Sequence, residues 1–461
     1  MLCYLAVLAA LIWEWAGGTA PFLAPPLERG PGFGHKRLSV APLVAAIVVL
    51  FLCELALVAF SAHADGTALR TLGFPLEIIE DRGVPITGRR EAVSIAMFAV
   101  VLLQAFALFR LYRVLTCVGR KADVTTVAIG AGAMILASLL APALSSADMY
   151  AYAGDAILGT AAYNPPAHPF HGEYTVISAW WRHHMEATPY GPLWLAYDRT
   201  LLSLAPTLLA KIELTRILGA VWFAVTLACA SRRVSPATLA VLALNPALLS
   251  QFVANGHNDI VAIALIMLGL TVAESMPAVQ VALGIAAALV KLPFVLVALV
   301  ALSGSLRTRL VAAAMLVAGT IAASYLFGGH AYVDALMQHV NDRQNAYGWP
   351  HKLVAVAAFL AIGAALLRQA WSRTAAFTFA GLGAVIFPWY AAWGLPYALA
   401  SRSLAGFLIA LPIAGFLFET VLDTRLALAA TIFVLCILSI RALSIERAKA
   451  ATRHSTSPAK S

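Results

Sequence analysis

The stretch N-P-A-L-L-S-Q-F-V-A-N-G-H-N-D-I-V-A-I-A-L-I-M-L-G-L-T-V-A (residues 245–273) carries no charge from Ile260 to Ala273, and the apolar run 236–253 leads into it. A helix on the surface of a soluble domain keeps one polar face. A run apolar on every side belongs in a core or in lipid. Between the two apolar runs lies a compact polar knot, Asn255-Gly256-His257-Asn258-Asp259. The fold question is therefore whether lipid is the solvent, and the chemical question is what such knots do.

Working outward, the same pattern repeats. Apolar runs of spanning length fall at 39–62, 92–112, 124–144, 211–230, 236–253, 257–274, 309–327, 351–368, 374–392, 402–420 and 426–442, with a shorter candidate at 2–16. Residues 192–210 are broken by Asp198, Arg199 and Pro206 and suggest an interfacial helix. Of the 461 residues 61% are hydrophobic and 11% charged, against roughly 25% charged in an ordinary soluble domain. These runs predict an all-α polytopic membrane protein of about 12–14 membrane segments. Residues 1–442 read as one membrane domain and 443–461 as a basic, polar, disordered tail.

The net charge of +9 does not point to nucleic acid, because Lys and Arg sit in short clusters between apolar runs. That is the distribution of cytoplasmic loops in a membrane protein. Placing Lys36–Arg37, Arg110–Lys121, Arg232–Arg233, Arg307–Arg309 and Arg368–Arg373 inside puts 63–91, 145–191 and 328–350 outside. Residues 277–303 break this parity unless they form two half-helices meeting at Lys291-Leu292-Pro293. Cys3, Cys53, Cys117, Cys229 and Cys436 lack metal or redox spacing and read as small buried hydrophobes.

The longest outer stretch opens S-S-A-D-M-Y-A-Y-A-G-D (145–155). If helical, it puts Asp148, Tyr152 and Asp155 on one face through i, i+4 and i+7 spacing. A carboxylate at the membrane surface is costly unless paired or used; a helix cap or an arginine partner would also account for Asp148. Y-N-P-P-A-H-P (163–169) and T-P-Y-G-P-L-W-L (188–195) are stiff turns presenting Asn164 and Tyr190. In the knot, one polar side chain would suffice as an N-cap. Four polar residues in five suggest more, such as an anion held at a helix N-terminus. F-P-W-Y-A-A-W-G-L-P (387–396) is an aromatic turn of interface anchors or groove-lining rings.

D-M-Y-A-Y-A-G with Y-N-P after it, Y-G-P-L-W, N-P…N-G-H-N-D, A-L-V-K-L-P (288–293) and P-W-Y-A-A-W-G-L-P follow one another over residues 145–396. In that order they resemble the GT-C membrane glycosyltransferases, and within them the polyprenyl-phosphate-mannose-dependent alpha-mannosyltransferases and the glycosyltransferase family 87. The resemblance implies a GT-C-like bundle, an inverting transfer and a multi-pass cell-membrane enzyme working on the outer face. It implies a polyprenyl-phosphate sugar donor, mannose first with arabinofuranose or another hexose as alternatives, and a lipid or glycan acceptor. Carried onto this chain it makes Asp148 the catalytic base. His257, Asn255 and Asn258 are then the donor-phosphate cluster, and Tyr152, Asp155, Asn164, Tyr190, Asp259, Trp389 and Tyr390 the substrate-binding set. Lys352, Arg343 and Lys291 are weaker phosphate candidates, the last expected on the opposite side. No cofactor is expected: there is no Asp-x-Asp pair, no Gly-rich phosphate loop and no zinc spacing, and a divalent ion between Asp148 and Asp155 is disfavoured. A transporter or flippase, or a non-catalytic envelope-assembly subunit, is the alternative reading; a transporter should show paired broken helices at the midplane.

Overall fold

The computed structural model describes residues 44–53, 55–56, 100, 103–112, 114–115, 124–140, 148–167, 169–180, 187–273, 275–347 and 388–400, and every regular element in them is helical. In chain order these are α1 (Val44–Cys53), α2 (103–112), α3 (Val124–Leu140), α4 (Asp148–Leu158), α5 (Thr175–Trp180), α6 (Pro192–Leu202), α7 (Leu208–Ser231), α8 (Pro236–Ala243), α9 (Pro246–Leu249), α10 (Asp259–Val272), α11 (Pro277–Val290), α12 (Phe294–Ala301), α13 (Leu306–Tyr347) and α14 (Leu395–Ala400). The expected spans 351–368, 402–420 and 426–442, the candidate 2–16, the tail 443–461 and Lys352 lie outside the described residues. The chain is an all-α membrane protein. Among the described residues, α7 and Leu306–His339 of α13 are long and apolar enough to cross a bilayer, and α8 with Pro246–Ala254 makes a third span if the bent pair counts as one.

The breaks between helices are written into the chain. α7 starts where the Thr207 hydroxyl caps the Ala210 amide at 3.2 Å and stops at the Arg232–Arg233 pair. The expected span 236–253 is not straight: it bends by 44° at Asn245–Pro246. Pro246 has no N–H to continue the ladder, and Asn245 Oδ1 accepts from Ala247 and Leu248 at 3.1 and 3.4 Å to begin a new helix. One π turn, Ser250–Ala254, then delivers the chain to Gly256 at φ +60°, a left-handed conformation that suits glycine. The expected pair of half-helices at 277–303 is present as α11 and α12, with Lys291 extended between them at φ −156°, ψ 115°. Gln280 Nε2 donates to the Ala301 carbonyl at 2.7 Å and folds the second half back on the first.

Two expected regions carry more helix than their turn-rich composition suggests. Residues 145–191 are helical over much of their described length, as α4, α5 and the 3-10 turns Gly159–Tyr163 and Gly172–Tyr174. The helix beginning at Leu306 runs to a break at Gly329, close to the expected end near 327, and a second helical stretch continues from there to Tyr347. Ala331, Ala335, Leu336 and Met337, just past the break, are good helix formers and start the second stretch.

The centre of the bundle is α10, packed on α11 and α7; α4 packs on α6 and α7, and α6 on α11. α7 approaches the π turn so closely that a β-carbon on Gly219 would stand 2.1 Å from the Phe252 carbonyl oxygen. Backbone, not a movable side chain, blocks that space. Gly219→Ala should therefore cost about 1–3 kcal/mol by overpacking and lower the thermal midpoint of the purified protein. An unchanged midpoint would show that α7 and the π turn separate freely. Buried Arg216 ties the same helix to α3 by donating to the Ser138 carbonyl at 2.7 Å while pairing with Glu213 at 2.9 Å.

Candidate active site

Asp148 opens α4, and its side chain keeps 26% of its surface exposed. Three groups converge on its Oδ2: His257 Nδ1 at 3.1 Å, the Tyr190 hydroxyl at 3.3 Å and the Tyr152 hydroxyl at 3.4 Å. An ionised carboxylate only accepts, so the network assigns a proton to each of these atoms, including Nδ1 of His257. Tyr152, one turn along α4, is fully buried, meets Tyr190 and Trp194 edge-on at 5.2 and 5.0 Å, and accepts from the Asn258 amide at 3.2 Å. The predicted helical face is thus real, and its two carboxylates differ. Asp148 is partly open, whereas Asp155 has no exposed surface and accepts from the Thr188 hydroxyl at 2.9 Å. Burial first, with the charge of Asp148 adding to it and the Thr188 bond opposing, holds Asp155 well above the usual carboxylate range.

The Tyr190 turn is pinned from several directions. Thr188 N–H donates to Ala162 at 2.9 Å, the Tyr163 hydroxyl to the Tyr190 carbonyl at 3.2 Å, and Gly191 N–H to Val290 at 2.9 Å. Gly191 lies so close to α11 that an added β-carbon would be 2.0 Å from the Leu289 oxygen. Burial, and after it the charge of Asp148, pushes the Tyr190 phenol well above its ordinary value, so it stays protonated and donates.

A second cluster adjoins the first. Lys291, at the α11–α12 break, reaches both oxygens of Asp259 at 3.1 Å, and Trp393 Nε1 donates to Asp259 Oδ1 at 2.6 Å. Its ammonium lies 4.5 Å from the Tyr390 ring centre, 5.6 Å from Tyr190 and 5.7 Å from Trp393, a three-ring surround favourable to a cation. Tyr390 and Trp393 stack on each other at 4.1 Å. Tyr190 belongs to both clusters: its hydroxyl serves Asp148 and its face serves Lys291.

Of the residues named from sequence, Asp148, Tyr152, Tyr190 and His257 meet in one network, and Asp259 and Tyr390 meet in the adjoining one. Asn164 stands exposed at the end of the 3-10 turn after α4. Trp389 belongs to the 3-10 segment Pro388–Gly394, and its side chain is outside the described part, as is that of Arg343 in α13. The knot is turned inward: Asn255, His257, Asn258 and Asp259 are all at most 1% exposed. Asn258 is the N-cap residue of α10, yet its side chain makes no capping bond. The expectation that Lys291 lies on the opposite side is corrected, since it pairs with Asp259 beside Tyr190. Trp393 carries no sequence signal beyond its place in the aromatic turn 387–396. Ionisable residues inside apolar runs are functional candidates by default, and that rule points to Lys291 without any topology. Among the described residues no group of three or more His, Cys, Asp or Glu is arranged to hold a metal.

A family model described as alpha-(1->6)-mannopyranosyltransferase, N-terminal domain (the MptA_B family), matches residues 44–307, more than half of the chain. The chain belongs to that family. Membership in the alpha-(1->6)-mannopyranosyltransferase family brings with it a mannosyl donor and an acceptor, in agreement with the resemblance read from the motifs. The matched stretch holds Asp148, Tyr152, Tyr190, His257, Asp259 and Lys291, while Tyr390 and Trp393 lie beyond it. No curated protein and no solved structure matches the chain.

Proposed function

We propose that this mannosyltransferase takes mannose from a polyprenyl-phosphate carrier on the outer face of the membrane and transfers it, with inversion, to an acceptor hydroxyl. The linkage in the family's name makes the primary hydroxyl at C6 of a mannosyl acceptor the attacking group. Asp148 accepts its proton as the new oxygen–carbon bond forms at the anomeric centre. The bond from that carbon to the phosphate oxygen breaks, and the polyprenyl phosphate leaves with the electron pair. Its growing negative charge needs a fixed cation or N–H donors.

The observation that carries this reading is the convergence of three donors on one oxygen of the partly open Asp148, beside the buried ammonium of Lys291. Hydrogen bonds to the charged form of a carboxylate favour that form, and Asp148 keeps part of its side chain open to an acceptor. The geometry also favours a different division of labour from the one expected. The Asn258 amide is used by Tyr152 and His257 Nδ1 faces Asp148, so His257 serves the base, and Lys291 is the better placed group for the phosphate.

Sealed right-side-out vesicles test donor and orientation together. Given an impermeant oligomannoside outside, they should transfer label from polyprenyl-phosphate mannose and none from GDP-mannose. Transfer from the nucleotide sugar, or transfer only after permeabilisation, would overturn the proposal.

A further inference from the structure

His257 has a second side. Its ring helps to wall a narrow cavity between α6, α7 and the start of α10, together with Trp194, Tyr197, Asp198, Trp222 and Asn258. Asp148 does not line that cavity, so the imidazole stands between the two. Trp194, Asp198 and Asn258 are 3%, 2% and 1% exposed. Among the described residues, Trp194 Nε1, Asp198 Oδ2 and both side-chain polar atoms of Asn258 have no hydrogen-bond partner. Each such buried atom costs about 1–3 kcal/mol if left unsatisfied. Four around one small cavity are too many to be incidental in a packed membrane bundle. The space suits a single water molecule, which requires two to four polar neighbours of this kind.

We propose that this cavity is a water site through which Asp198 acts as a positioning residue, fixing the tautomer of His257 that holds the base Asp148. The water engages three of these four atoms, all but Asn258 Nδ2, together with His257 Nε2. The water accepts from Trp194 Nε1–H and from the Asp198 carboxyl O–H, and it donates to Asn258 Oδ1 and to His257 Nε2. A histidine accepting at Nε2 carries its proton on Nδ1, which is the donor that Asp148 Oδ2 meets at 3.1 Å. Asp198 must hold its proton for this chain to run in one direction. Its surroundings favour that: it is buried, the Asp155 carboxyl faces it from α4, and only Lys211 on α7 acts the other way. Lys211 is itself engaged, donating to the Leu202 and Ala205 carbonyls at 2.6 and 2.9 Å. The remaining ionisable groups around the imidazole are Asp148, Tyr152 and Tyr190 in the base network, Tyr197 in the cavity wall, and the Asp259–Lys291 pair beyond. This inference rests on the reading of Asp148 as the base.

The test compares Asp198→Leu, Asp198→Asn and Trp194→Phe in the full-length purified protein, with kcat, donor KM, a pH–rate profile and nitrogen-15 NMR of histidine-labelled samples. Asp198→Leu should lower kcat about 10- to 100-fold, a share of the 10²–10⁴ that a general base supplies. Donor KM should hold, and the His257 signals should move away from the pure Nδ1–H pattern. Asp198→Asn supplies an N–H in place of the O–H and should restore most of the rate and the wild-type pH profile. Trp194→Phe removes one donor at nearly constant shape and should show the same signature more weakly, which keeps the test decisive if the leucine variant does not fold. Unchanged kcat and tautomer in Asp198→Leu and Trp194→Phe, or an asparagine variant as impaired as the leucine one, would overturn the proposal. An inactive Asp148→Asn alongside unaffected Asp198 variants would sink only this inference, whereas an active Asp148→Asn would remove the reading beneath it.

Discussion

Asp148→Asn is expected to reduce mannosyl transfer by about 10³-fold or more, while the protein inserts and accumulates normally. The asparagine has the same size, and its amide oxygen can still accept from Tyr152 and Tyr190, so the first turn of α4 need not move. What disappears is a carboxylate able to take a proton from the acceptor, a contribution of 10²–10⁴ in typical enzymes, or about 3–5 kcal/mol of barrier. Because a neutral amide is a far weaker base than even a perturbed carboxylate, no shift of pH should recover the rate. The measurement is transfer from radiolabelled polyprenyl-phosphate mannose in membranes matched for protein by immunoblot. Undiminished transfer would remove Asp148 from the chemistry.

The second large effect concerns Lys291. Substituting it by methionine, similar in length, leaves Asp259 with no exposed surface, the single N–H of Trp393 and no cation. Removing one partner of a buried ion pair costs about 3–5 kcal/mol, since the other charge stays behind in a medium that cannot solvate it. Lys291→Met alone should therefore be strongly destabilised and inactive, and by itself would say nothing about catalysis. The double variant Asp259→Asn with Lys291→Met separates the two roles. With both charges gone the desolvation penalty goes too, and stability should return close to wild type. Activity should not return: without the ammonium the leaving phosphate lacks its cation, at a cost of about 10²–10³ in kcat. Thermal stability and kcat of the purified double variant decide the matter. Recovery of both together would make Lys291 a structural residue only.

These two experiments fall on residues of unequal visibility. Asp148 was legible from its setting, a lone carboxylate at the end of an apolar run with Tyr152 and Asp155 at helical spacing. α4 has that face because spacing within one helix is fixed by its geometry. Its partner is another matter. His257 lies 109 positions away, and the sequence points it to an anion because a polar knot before a helix resembles an open N-terminus. Only packing closes that N-terminus: Gly219 lets α7 press on the π turn, and Tyr152 occupies the Asn258 amide. Lys291 shows the converse error. Counting whole spans assigns it a side, but parity carries no information for a residue at a break between half-helices, whose side chain can enter the bundle from the middle.

What the linear chain fixes is what depends on solvent and on near neighbours. Lipid must hold a chain with so few charges, Pro246 and Pro293 must interrupt their helices, and Asp148 must share a face with Tyr152. What only the folded bundle settles is which of these pieces touch. Asp259 meets Trp393 across 134 positions, and Tyr190 serves both a carboxylate and an ammonium. Those contacts are set by how closely helices approach at Gly191 and Gly219 and by the angles at the breaks. Such distances are a property of the whole packed core, and no local period in the sequence encodes them.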